Sequence, residues 1–174
     1  MKRQVKVCYG ISSKVYGIWG VFMADFDGVS LAEVKTYLKD VQYNYDISDI
    51  YVIRSTNGYN AIALDIMPVS LVYQIGMNIE SPADRNFYKA GMTRDYFTLR
   101  FDSSKKLLGI LKNKSVKYEK SLAHKLFLEW FFGIKIPDSN FNDTKTLDII
   151  QYPSSKDGYH LVDKELPDYF RVKI

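Results

Sequence analysis

Two aspartates one residue apart, Asp25 and Asp27, close the apolar run that begins at Val15 (VYGIWGVFMADF followed by Asp27). If that run is a strand, residues two apart leave the same face, so both carboxylates point the same way. Carboxylates held side by side at a strand end need a cationic counterpart, and a divalent ion such as Mg²⁺ or Mn²⁺ is the usual one. The competing reading is structural: Asp27-Gly28 makes a turn ahead of a helix, and Asp25 is solvated. The pair alone leaves both open.

A second group is Arg54-Ser55-Thr56-Asn57-Gly58-Tyr59-Asn60. Its Asn-Gly step is a strong hairpin signal. An ordinary turn accounts for that step; the density of donors, from Arg54, Ser55 and the turn amides, also suits a phosphate. A third is Thr98-Leu99-Arg100-Phe101-Asp102, leading to Lys105 and Lys106. An arginine flanked by apolar strand residues calls for an anion if buried, or marks a solvated sheet face. Lys112, Lys114, Lys117 and Lys120 recur at short spacing and read as a phosphate-backbone track or a solvated loop.

Other chemistries lack their residues. His124 and His160 stand far apart with no H-x-H or H-E-x-x-H, and the lone Cys8 has no second thiol. Cys8 reads as a small strand hydrophobe. Neither G-x-x-x-x-G-K-[ST] nor G-x-G-x-x-G occurs.

The elements that must position these groups are legible around them. Ser30-Leu31-Ala32-Glu33 is a capping box, and Leu31, Val34, Leu38 and Val41 repeat at helical spacing. Residues 50–55 and 60–66 read as two strands joined by the Asn-Gly turn. Pro68 opens a second helical region with Leu71, Val72, Ile75 and Ile79 as its stripe, and a short helix follows Pro82. Residues 96–101 and 107–111 are further strands. Residues 121–132 form an aromatic-rich helix ended by Gly133, and 147–152, 158–162 and 169–174 read as short strands.

Residues 15–101 thus run β-α-β-β-α-β, the split-βαβ order of ferredoxin-like and RNA-recognition folds, with the first and third strands adjacent. The expected class is α+β, an antiparallel sheet with helices on one face, extended by a C-terminal helix and short strands. With 174 residues the expectation is one domain, a core at 15–112 and an elaboration at 113–174. A hydrophobic fraction of 47% with 25% charged residues is globular, and a net charge of +4 permits an anionic partner. No apolar run reaches membrane-spanning length and no signal peptide opens the chain, so the expected location is the cytoplasm of a host cell, with no membrane partner.

The order of the motifs resembles the archaeo-eukaryotic primase (primase-polymerase) superfamily: a strand ending in D-x-D, a helix, a hairpin with S-x-x-G-Y-[H/N], an acidic residue, then a strand reading L-R. The resemblance covers roughly residues 15–112. It implies a metal-dependent nucleotidyl transferase acting in DNA replication, with Asp25, Asp27 and a third acid as catalytic metal ligands for Mg²⁺ or Mn²⁺. The third acid is Asp84, with Asp95 and Asp102 as alternatives. Ser55, Asn60, Arg100 and Lys105 would bind the nucleoside triphosphate, and single-stranded or primed DNA would be the template. The chain is similar to minimal stand-alone cores encoded by archaeal viruses and plasmids, which implies a separate helicase or replication partner. One departure stands out. The second motif normally carries histidine where this chain has Asn60, and asparagine neither carries charge nor shuttles a proton. That keeps two alternatives open: a catalytically impaired nucleic-acid-binding protein on the same fold, or a viral or plasmid interaction protein without nucleotide chemistry.

Overall fold

The protein is described from a computed structural model, over residues 8–137, 140–152, 167 and 170–173. The strands are β1 (Cys8–Ser12), β2 (Lys14–Tyr16), β3 (Trp19–Asp27), β4 (Ile50–Arg54), β5 (Gly58–Pro68), β6 (Thr98–Phe101), β7 (Lys106–Leu111), β8 (Asp148–Tyr152) and β9 (Arg171–Lys173). The helices are α1 (Leu31–Tyr45), α2 (Val69–Gly76), α3 (Arg85–Arg94) and α4 (Leu122–Phe132). Among these no helix is long and apolar enough to cross a membrane.

The fold is α+β. Five strands form an antiparallel sheet in the order β2-β3-β5-β4-β7, and four form a second sheet in the order β6-β1-β8-β9, in which only β8 and β9 run parallel. The first and third strands of the split-βαβ unit, β3 and β5, lie side by side as their order demands. They are buried on both faces from Gly20 to Ala24 and from Asn60 to Met67, so their apolar runs fit a strand covered on two sides.

Two expectations about this unit need correction. The run from Val15 is not one strand: it folds back at Gly17, whose φ of +53° suits a residue without Cβ, into the β2–β3 hairpin. That hairpin fills the free edge of β3, where the fourth strand of the unit was expected. The fourth strand, β6, instead pairs with β1, and both join the second sheet. The second helical region also ends sooner than its stripe suggested. Helix α2 stops at Gly76, leaving Ile79 beyond it and 93% exposed. The expected strand at 158–162 lies outside the described residues.

The helix signals act as they read. Ser30 and Glu33 satisfy each other's backbone amides at the start of α1. Ser121 caps α4, and Gly133 ends it at φ +65°. Buried His124 then locks α4 to the end of β1 in the second sheet: its Nε2 faces the Ser12 carbonyl at 2.8 Å and its Nδ1 the Ser121 hydroxyl at 2.6 Å. Since a carbonyl only accepts, Nε2 must carry the proton and Nδ1 accepts from Ser121. Burial pushes this imidazole down to about 4, so it is neutral at physiological pH.

Candidate metal and phosphate cleft

The cleft opens where β3 and the β4–β5 hairpin of one sheet meet β6 of the other. Asp25 lies opposite Asn60 and Asp27 opposite Gly58 in the β3–β5 register. The two strands approach so closely that a Cβ on Gly58 would stand 1.9 Å from the Phe26 carbonyl oxygen. Only glycine fits there, and this contact sets the height at which Asn60 faces Asp25.

Asp84 arrives from a different element. It caps α3, its side chain accepting from the Asn86 amide at 3.0 Å. Two bonds fasten this helix start to β3: the Asp84 amide donates to the Asp25 carbonyl at 2.7 Å, and the buried Tyr88 hydroxyl donates to the Met23 carbonyl at 2.9 Å. The Tyr88 ring lies against Gly76 of α2, where any Cβ would overlap it. The outcome is that Asp25, Asp27 and Asp84 each present an oxygen within 4.8 Å of the others. An all-oxygen donor set with that spacing, partly open to solvent, fits a hard divalent cation.

The cation wall faces them. Asn60, 4% exposed, donates from Nδ2 to Asp25 Oδ1 at 2.7 Å and accepts on Oδ1 from the Lys105 ammonium. Carboxylate on one side and ammonium on the other fix the amide's orientation. Lys105 is presented by a turn in which Asp102 accepts from the amide and hydroxyl of Ser104. The Ser104 hydroxyl in turn meets Thr56 of the hairpin at 3.2 Å. A cleft of about 450 Å³ is lined by Asp25, Asp27, Asp84, Ser55, Asn60, Arg100, Asp102 and Lys105, together with Thr56, Asn57, Phe87, Thr98 and Leu99.

Electrostatics follow from this crowding. Burial, then the neighbouring Asp27 and Asp84, push the Asp25 carboxyl up to about 6, against the pull of Lys105 and Asn60. Burial pushes the Lys105 ammonium down, while Asp102, Asp25 and Asp27 draw it back up. Asp25 is thus a carboxylate short of positive charge at neutral pH. Cys8 lies close to the same charges, but its thiol is buried and pushed up to about 11, so it stays protonated.

No family model, curated protein or solved structure matches the chain. The site therefore stands on its geometry. The structure gathers Asp25, Asp27, Asp84, Ser55, Asn60, Arg100 and Lys105 around one cleft. Of the alternative third acids, Asp95 caps the far end of α3, exposed and outside the cleft. Asp102 lies in the cleft but is turned into its own loop by Ser104, and it is not among the three carboxylates that converge. Phe87 lines the cleft without having been singled out in the sequence. Phe87 follows Asp84 by three residues, one turn along α3, which was the available signal. His160 lies outside the described residues.

Proposed function

We propose that the cleft is the site of a metal-dependent nucleotidyl transferase of primase-polymerase type. The observation that carries this reading is the convergence of Asp25, Asp27 and Asp84 at one side of an open cleft whose other side presents Lys105 and Arg100. Asp25, Asp27 and Asp84 would hold Mg²⁺ or Mn²⁺, which when bound supplies charge neutralisation at the triphosphate and acidifies the primer 3′-hydroxyl. The chain's own groups do the rest. Lys105 and Arg100 offset the charge of the triphosphate, Ser55 and the hairpin amides donate to its oxygens, and Asn60 ties Lys105 to Asp25 so that anion grip and carboxylate cluster keep a fixed spacing.

Primer extension on a DNA template with Mg²⁺ or Mn²⁺ is the test. Incorporation is expected from the unaltered chain and is abolished in Asp25→Ala and Asp27→Ala. Absence of incorporation in the unaltered chain, or incorporation indifferent to those substitutions, refutes the reading.

One observation favours a second reading, a nucleic-acid-binding protein that has lost catalysis. The Asn60 amide is occupied at both ends, by Asp25 and by Lys105, and offers no titrating group where the resembling family has histidine. Salt-sensitive oligonucleotide binding that survives Asp25→Ala, with no incorporation by any variant, selects it.

A further inference from the structure

Strand β7 is the outer strand of the five-stranded sheet, with no partner beyond it among the described residues. At its start Lys106 stands directly opposite Arg54 of β4, and both side chains are exposed. Like charges directly opposed across neighbouring strands repel. Among the described residues no carboxylate lies within ion-pair distance of either. Arg54 precedes Ser55 and Lys106 follows Lys105, so this cationic doublet sits on the rim of the cleft.

The strand continues as Leu107-Leu108-Gly109-Ile110-Leu111, half-exposed and free of acidic residues. At its far end Lys112, Lys114 and Lys120 rim a hollow of about 230 Å³ floored by Tyr51, Leu64 and Phe141. Lys112 is held by Asp49 at 3.1 Å. Lys114 and Lys120 make no ion pair among the described residues, although Lys120 lies within the electrostatic reach of buried Asp65. From Lys106 to Lys112 is about 20 Å at ~3.3 Å per strand residue. That equals about six nucleotides of a stacked single strand at ~3.4 Å each. A lysine on an outer strand also deters edge-to-edge pairing. Lys106 alone meets that need; it leaves unexplained the opposed Arg54 and the lysines around the far hollow.

Resting on the nucleotidyl-transfer reading for its starting point, we propose that β7 is the path by which a single-stranded nucleic acid leaves the cleft. Its phosphates are gripped by Arg54 and Lys106 at the rim and by Lys112, Lys114 and Lys120 about six nucleotides further on. A polyanion fits this edge and a second copy of the chain does not, because two copies paired along β7 would bring their lysines together.

The test is fluorescence anisotropy of a fluorescein-labelled oligothymidylate of about twelve nucleotides, long enough to span both ends of the path, titrated at several salt concentrations. Five phosphate contacts predict a slope of log affinity on log salt near −3.5, at about −0.7 per contact on single strands. Lys114→Gln with Lys120→Gln lowers its magnitude by about 1.4, and the corresponding Lys→Arg pair restores it. A Gln pair with unaltered melting temperature and an unaltered slope overturns the path, as does an unaltered chain whose binding ignores salt. Primer extension on the same proteins separates this from the reading it starts from. Extension that depends on Asp25, with an unchanged slope, leaves the activity standing and removes the path. A reduced slope without any extension does the reverse.

Discussion

Asp25→Asn isolates the energetic cost of the carboxylate cluster. The Asp25 carboxyl is raised from 3.8 to about 6, first by burial and then by Asp27 and Asp84. A group whose folded value lies above its unfolded one loses stability as pH rises between them. Below about pH 4 the penalty is absent; it grows through the window from 4 to 6 and is complete above it. At about 1.36 kcal/mol per pH unit the full penalty is about 3 kcal/mol. Asparagine removes it; the attraction of Lys105 is already counted in that shift, and the solvent contact that Asp25 keeps screens part of the penalty. About 1–2 kcal/mol should remain as a net gain, or roughly 3–6 °C in melting temperature for a chain of this size. The assay is thermal unfolding with chelator present, from pH 4 to 8, on both proteins. The substituted protein should melt higher at pH 7.5 and match the parent near pH 4. Added Mn²⁺ should then reverse the ranking. A cation at a hundred times its dissociation constant contributes about 2.7 kcal/mol to the protein that binds it, and Asp25→Asn has lost a ligand. A substituted protein that is less stable at pH 7.5 without cation refutes the claim that crowding dominates at Asp25. An equal Mn²⁺ shift in both refutes the donor set.

Gly58→Ala drives a Cβ into the Phe26 carbonyl; a loss of about 1–3 kcal/mol in chemical denaturation is expected, together with weaker Mn²⁺ binding, because Asn60 shifts against Asp25. Tyr88→Phe leaves the buried Met23 carbonyl without its donor and should lower stability by about 1–2 kcal/mol, with the cation-dependent melting shift reduced as Asp84 loosens. Ser48→Ala strips buried Asp65 of its 2.6 Å hydroxyl bond and should destabilise by about 1–3 kcal/mol without altering the Mn²⁺ shift, since Asp65 lies outside the cleft. His124, lowered from 6.5 to about 4, supports the fold above pH 6.5 and withdraws that support as pH falls toward 4. This trend opposes that of Asp25, so the pH profile of Asp25→Asn should fall more steeply on acidification than the parent's, a comparison that circular dichroism melts can make.

The strand-hairpin half of the cleft was readable because its signals are local. D-x-D fixes a common face by strand parity alone, the Asn-Gly step fixes the β4–β5 turn, and Ser30 with Glu33 fixes the start of α1. Asp84 was nameable by its distance along the chain. What chooses it over Asp95, however, is a backbone bond to Asp25 that no pattern encodes. The second sheet was hidden for a related reason. Strand β1 is five residues long, and its partners β6 and β8 lie about 90 and 140 residues downstream. With Gly17 and Ile18 inside an unbroken apolar run, nothing in the hydrophobic pattern separates a hairpin from a single strand. The displacement of β6 follows from that one fold-back.

The pairing of β1 with β8 has a consequence for how the molecule is made. Register partners such as Cys8 and Tyr152 are 144 residues apart, and closing so long a loop is slow compared with forming the β4–β5 hairpin and pairing β3 with β5. During synthesis Asp25, Asp27 and Asn60 can assemble as soon as residue 68 has emerged. Strand β6, with Arg100, can pair with β1 once residue 101 has emerged, but β8, on the other flank of β1, waits for residues near 150. The nascent chain therefore passes through a stage with the residues of the cleft made and the second sheet only half paired, and the ribosome, by its pace, sets how long that stage lasts.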